Sequence, residues 1–385
     1  MTTQNTFLMM IALSTSVACS DKAPSPDEPS AGSDPAQDDT GADNSEDTGD
    51  EGEDTGDEGE DTGEIVDVQA PPTPEAFAAL ALDARDAQVQ VFSISSSDWN
   101  YIEGEQGSTL FFWPNSFSTP GGTVVTGDVQ IELIEIFDKG SMLVTDMPSI
   151  GQRPSGEMAQ LISGGEHYVG ATKDGGTLTM NSTFQLTAPA ENTGEVDWDM
   201  GLFRAEVSEG VPAERDDQAV WIEEGVGMED DGATEDGEGF GIDRGEGGGG
   251  DGADTMYWML SDEFGWTNID RWYSDPRPKT TINVAVPDGW DDTNSAVYLS
   301  YDGEATALAR MDTYDDDTEL FSEHYGLIPI GLEIHVIFVT ESEGDWSYTI
   351  QSTTIVDGHL TTFASANDLI ETDTDGLVDA INALP

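Results

Sequence analysis

The chain has 385 residues, with 79 Asp or Glu against 12 Lys or Arg and a formal charge of −67. Nucleic-acid affinity comes from clustered Lys and Arg, so this balance excludes a phosphate-binding surface and nucleic acid as a partner. One cysteine excludes an internal disulfide framework and Cys-rich metal centres, and four histidines leave little for a His-based metal site.

Residues 1–18 read as a signal peptide. Phe7 to Ala18 is apolar but too short to cross a bilayer, which needs about 20 residues, and Ser16-Val17-Ala18 supplies small residues for cleavage. Cys19 follows at once. A lone cysteine at this point resembles the bacterial lipobox, in which the thiol is acylated and becomes residue one. Several acyl tails at ~0.8 kcal/mol per buried methylene give a stable membrane anchor. By the same resemblance, Ser20 implies the outer membrane or cell surface. An ordinary signal peptide leaving a free thiol is the alternative.

Residues 19–70 then read as a disordered acidic linker. Asp21 to Glu64 holds 18 acidic residues and one lysine, with the seven-residue unit Glu46-Asp47-Thr48-Gly49-Asp50-Glu51-Gly52 recurring in full from Glu53 and its first four residues again at Glu60-Asp61-Thr62-Gly63. A coiled coil needs apolar positions in each heptad and this repeat has none. Low hydrophobicity with self-repelling charge predicts an extended tether. Charge repulsion also predicts that salt stabilises the folded part.

Residues 71–222 read as a first β-sandwich. Pro74 to Leu80 suggests a short helix. Val89 and Val91 alternate with Gln88 and Gln90, and Val129, Ile131 and Leu133 alternate with Gln130 and Glu132, the period-two pattern of strands with one buried face. Gly121-Gly122, Gly164-Gly165 and Gly175-Gly176 mark turns. The stretches Ile102-Glu103-Gly104, Gly107-Ser108-Thr109-Leu110, Trp113-Pro114-Asn115-Ser116-Phe117, Gly127 to Glu135 and Gly164 to Ala171 resemble a region of uncharacterised bacterial envelope lipoproteins. That region is distantly similar to the sandwich of ankyrins, netrin receptors and zonula-occludens proteins. Some members of that class cleave themselves at His-Phe-Ser; here His167-Tyr168-Val169 has no hydroxyl nucleophile, so His167 is expected on a strand at a sheet surface.

Residues 223–254 contain 12 glycines and 12 acids and read as a flexible loop or linker. Residues 255–385 read as a second sandwich, immunoglobulin-like in layout, with a C-terminal helix. Its strands are expected around 281–286, 296–299, 333–339 and 346–350, with His335 on the face opposite Ile334 and Val336. The Gly265-Trp266-Thr267-Asn268-Ile269-Asp270-Arg271-Trp272 block is similar to one that follows the first sandwich in the same lipoprotein family. Trp266, Asp270, Arg271 and Trp272 read either as a sugar platform or as a lock, with Asn268 and Asp270 holding a bent backbone while the tryptophans fill the core. Glu371, Asp373, Asp375 and Asp379 mimic the opening of an EF-hand loop without its bidentate Glu. Calcium is the one cofactor they suggest, against helix capping by Asp375.

No Gly-x-Ser-x-Gly elbow, His-Glu-x-x-His helix or phosphate loop is present. The mainly β chain is therefore expected to be a non-catalytic, lipid-anchored envelope protein serving adhesion, scaffolding or ligand binding. A glycan or an envelope protein is the expected partner. Carbohydrate binding or degradation through the tryptophan block is the alternative.

Overall fold

The computed structural model describes residues 69–193, 196–208, 211–218, 220–224, 228–230, 239–243, 255–323 and 326–385. The signal peptide, Cys19, nearly all of the acidic linker and most of 225–254 lie outside the described residues.

The fold is mainly β. Two sheets enclose a first core: a larger one running Gln90–Ser95, Asp128–Ile136, Met158–Lys173, Gly265–Trp272, Gly201–Ser208, Val220–Glu223, Ile150–Gln152, and a six-stranded one running Met228–Asp230, Gly239–Asp243, Met256–Ser261, Phe184–Pro189, Thr109–Phe112, Asn100–Glu103. Alternate residues of both sheets meet between them, among them Val129, Ile131, Leu133, Leu110, Phe112, Leu186 and Met259. A second pair of sheets encloses another core. The five-stranded one runs Leu308–Arg310, Ser295–Tyr301, Glu333–Ser342, Asp345–Thr354, Ile370–Thr372. The four-stranded one contains Ile282–Ala285 between Leu320–Ser322 and His359–Thr362. Val284, Phe321, Leu299 and Val336 meet there.

Between the larger sheet and the five-stranded sheet lies a third core, which also takes in three helices. Ile134, Ile136, Phe203 and Trp266 face Tyr298, Ile337, Val339 and Trp346 across it. Helix α1 (Pro74–Gln88) contributes Leu80 and Ala84, α2 (Lys139–Val144) Met142, Leu143 and Val144, and α3 (Thr374–Asn382) Leu377 and Ile381. The Ser295–Tyr301 strand is buried at every position, because both of its faces have a core to fill.

The structure corrects several expectations. Helix α1 continues past Leu80 to Gln88: Thr73 caps it, proline opens it, and Ala-Leu-Asp-Ala-Arg-Asp-Ala-Gln contains no helix breaker. In the strand that follows, Phe92 and Ile94 face the core, while Val91 is 60% exposed. The segment 223–254 is not wholly a linker. Gly239–Asp243 pairs with Met256–Ser261 and buries Phe240 and Ile242 completely, since their alternation makes a strand that the average composition hides. A sandwich boundary after residue 254 does not hold either: the Met256–Ser261 and Gly265–Trp272 strands are interior members of the first pair of sheets. The described part of the chain is one compact unit.

Candidate functional site

Residues 265–272 form a strand between Met158–Lys173 and Gly201–Ser208. Trp266 is 2% exposed, lies 5.5 Å from the Tyr168 ring, and donates its indole N–H to the Arg215 carbonyl. Trp272 packs edge-on to Phe203, donates to Glu223 Oε2 at 2.8 Å, and carries the Arg153 guanidinium 4.1 Å over its ring. Arg271 pairs with Asp197 at 2.5 Å. Asp270 is fully buried. The four residues therefore do not share an open face, and a sugar platform built on them is not present in this fold.

What the block builds is a buried polar cluster. The register between the two central strands shifts between Asn268 and Asp270, opposite Ser163 and Glu166. Ser163 Oγ donates to Asn268 Oδ1 at 2.9 Å and accepts the Gly165 N–H at 3.1 Å. The Asn268 amide nitrogen donates to Asp270 Oδ2 at 2.7 Å and reaches Glu166 Oε1 at 3.4 Å. Burial pushes both carboxyls well above the usual range, and for Glu166 the nearby Asp270 adds to the effect. Glu166 Oε2 and Asp270 Oδ1 have no hydrogen-bond partner among the described residues.

His167 is not at a sheet surface. It is fully buried, its Nε2 lies 2.9 Å from Ser108 Oγ, and burial holds its pKa down at about 4. Glu135, directly across the strand pair, accepts the Ser108 N–H at 2.9 Å, the Gln106 N–H at 3.0 Å and Gln90 Nε2 at 2.8 Å. Burial alone would raise this carboxylate, but those donors outweigh it and hold the pKa below the ordinary value. The set contains a serine, a histidine and an acid but is not a nucleophilic triad. The carboxylate receives the serine backbone instead of orienting the imidazole, and both Ser108 and His167 are sealed from solvent. His335 projects opposite Ile334 and Val336 and meets Asp302 Oδ1 at 2.7 Å, while His359 lies among Thr353 and Thr361. His324 is outside the described residues.

At the C-terminus the helix cap is Asp373, two residues before Asp375, and its carboxylate accepts the Gly376 N–H at 2.9 Å. Glu371 accepts the Ser342 hydroxyl at 2.8 Å. Asp375 and Asp379 lie within α3 itself. Among the described residues no group of three or more His, Cys, Asp or Glu is placed to hold a metal ion.

A groove of about 330 Å³ lies where α1 meets the five-stranded sheet. Arg85 closes its floor, donating to the carbonyls of Thr145 at 2.7 Å, Asp217 at 3.0 Å and Arg215 at 3.2 Å. Asp146, in the left-handed region at φ 50°, accepts the Tyr298 hydroxyl at 2.6 Å and Arg310 Nη1 at 2.7 Å. These bonds join the two sandwiches and leave Arg85 and Asp146 with their polar atoms engaged.

The feature that sequence reasoning missed lies on the outer face of the six-stranded sheet. Its inner face is filled by Ile102, Leu110 and Phe112, so Trp99, Tyr101, Phe111 and Trp113 turn outward. Tyr101 is directly opposite Phe111. Phe111 touches Trp99 at 5.6 Å, tilted by 32°, and Trp113 at 5.1 Å, edge-on. Trp99 and Tyr101 are each 65% exposed. The run Leu110-Phe111-Phe112-Trp113 has no polar alternation, so nothing in it marks one face as solvent-facing. In the neighbouring Trp99-Asn100-Tyr101-Ile102 the polar Asn100 shares the side of Ile102, so a period-two reading would turn Trp99 and Tyr101 toward the core. No protein-family model matches the chain, and no curated protein matches it.

Proposed function

We propose that the chain is a non-catalytic cell-envelope lipoprotein, anchored through Cys19 and an acidic tether, whose sandwiches display a binding face for adhesion, scaffolding or ligand capture. The observation that carries this reading is the aromatic face. Two rings left about two-thirds exposed, Tyr101 on a paired strand and Trp99 just before it, are costly to leave in water and gain free energy when a partner covers them. In this reading the first sandwich is of the kind found in ankyrins and netrin receptors, and the second is immunoglobulin-like. Absence of activity is part of the proposal. Its support is that the serine–histidine–acid set is closed to substrate and wired through a backbone N–H.

Two measurements test it. In detergent partitioning, the full-length protein is expected in the detergent phase with an acylated cysteine at its mature terminus, and Cys19→Ser in the aqueous phase. Immobilised protein is expected to retain isolated envelope fragments, with retention falling in Trp99→Ala and Tyr101→Ala. Partitioning that ignores Cys19, or retention that ignores both rings, rejects the corresponding half of the proposal.

A further inference from the structure

Resting on that reading of the aromatic face, we infer that its ligand is a neutral glycan chain. Strand register lays the face out in rows. Tyr101, Phe111 and Gln185 stand side by side on three neighbouring strands, and Glu103, Thr109 and Thr187 form the next row, about 7 Å along. Trp99 and Trp113 lie beyond the first row, in contact with it through Phe111. The face thus passes from ring faces to an amide and then to the hydroxyl pair of Thr109 and Thr187, which are 2.6 Å apart.

A sugar ring has the matching chemistry: an apolar C–H face that stacks on an aromatic ring, and a rim of hydroxyls that both donate and accept. An amide and two hydroxyls answer such a rim without requiring charge on the ligand. Charge narrows the choice further. No Lys or Arg occurs between Arg85 and Lys139, while Asp98, Glu103 and Glu105 lie within the same stretch. An acidic polysaccharide, a phosphorylated headgroup or an acidic protein would meet only repulsion there. A basic peptide could pair with Glu103 at the end of the Thr109 row, but the row of Tyr101, Phe111 and Gln185 beside it carries no charge to hold one. Tyr101 and Phe111 sit on paired strands whose inward neighbours are buried, and Trp99 and Trp113, one residue outside those strands, are braced against Phe111, so the face is preformed and little ordering is needed on binding.

The test is affinity electrophoresis of the full-length protein in gels containing a β-glucan, a mannan or a dextran, with polygalacturonate as the acidic counterpart. At least one neutral polymer is expected to retard the protein and polygalacturonate not to. Trp99→Ala and Tyr101→Ala are expected to weaken the retardation by about tenfold each. Their melting temperatures should be unchanged, because both side chains are on the solvent side. Leu360→Ala, 56% exposed on the four-stranded sheet, should behave as the parent. Retardation by none of the neutral polymers, or retardation indifferent to both rings, overturns the inference. If envelope-fragment retention still falls in those two variants, the glycan is wrong and the display face stands; if retention is also indifferent, both are rejected. Because a chain of charge −67 is held by any polycation, only retardation by a basic polypeptide that falls in Trp99→Ala and Tyr101→Ala would reassign the face to a cationic partner.

Discussion

Glu166 and Asp270 are carboxyls placed where water cannot reach them, with Asn268 between them as the shared donor. A carboxyl raised in the folded state still holds a proton that the unfolded chain has released. Its stabilising contribution is therefore complete below about pH 4 and is lost as pH rises through the folded pKa. His167 acts in the other direction: its folded value of about 4 lies below the ordinary 6.5, so its contribution is present above pH 6.5 and lost as pH falls. Comparing variant with parent cancels the histidine. Glu166→Gln and Asp270→Asn are expected to gain in melting temperature over the parent as pH rises from about 4.5, levelling off above the folded pKa. Thermal melts across pH check this, and a pH-independent difference would remove the carboxyls as its source. The block from 265 to 272 was readable as important because of its tryptophans and its Asn-x-Asp spacing. Which side of the sheet each residue faces was not, since the register shift between Asn268 and Asp270 breaks the alternation on which such a reading depends.

At the level of elements, the helices explain how two sandwiches come to share a core. Helix α3 lies so close to α2 that a Cβ on Gly140 would sit 2.5 Å from the Val378 carbonyl oxygen and 2.8 Å from its Cα. The contact is fastened by Asn382, which accepts the Gly140 N–H at 2.8 Å and donates to Asp138 at 2.7 Å. Backbone cannot yield as a side-chain tip can, so Gly140→Ala is expected to cost about 1–3 kcal/mol. Hydrogen exchange should rise over Thr374–Asn382 while the six-stranded sheet is unaffected, and uniform loosening would contradict the argument. Helix α3 is visible in the sequence from Leu377, Val378 and Ile381. Its docking partner is not, because Lys139–Val144 is too short to show a helical period. The Gly239–Asp243 strand was hidden for the opposite reason: two apolar residues among many glycines and acids make a strand only when a neighbouring strand is there to pair with them.

Across the whole molecule, the third core binds the larger sheet of one sandwich to the five-stranded sheet of the other through shared side chains. Unfolding is accordingly expected as one transition over the described region. With a formal charge of −67, its midpoint should rise by about 5 °C or more between low salt and ~0.5 M, as the surface carboxylates are screened. Calorimetry against ionic strength checks both, and a midpoint flat with salt would show that the acids are too far apart to destabilise the fold. Strand-rich character was legible at this scale from period-two runs. The two-domain division was not, because residues 256–272 follow the glycine-rich segment in sequence yet return to the first sandwich in space.

The described chain begins at Gln69, whose side chain donates to the Glu341 carbonyl at 3.3 Å and accepts the Ser347 hydroxyl at 3.0 Å. Both partners belong to the five-stranded sheet, whereas the exposed rings occupy the outer surface of the six-stranded sheet, with the larger sheet and the helices in between. Gln69 is thus fastened on one flank of the described body, and Trp99 and Tyr101 stand on the other. A label attached at Gln69 would therefore stand across the larger sheet and the helices from Trp99 and Tyr101.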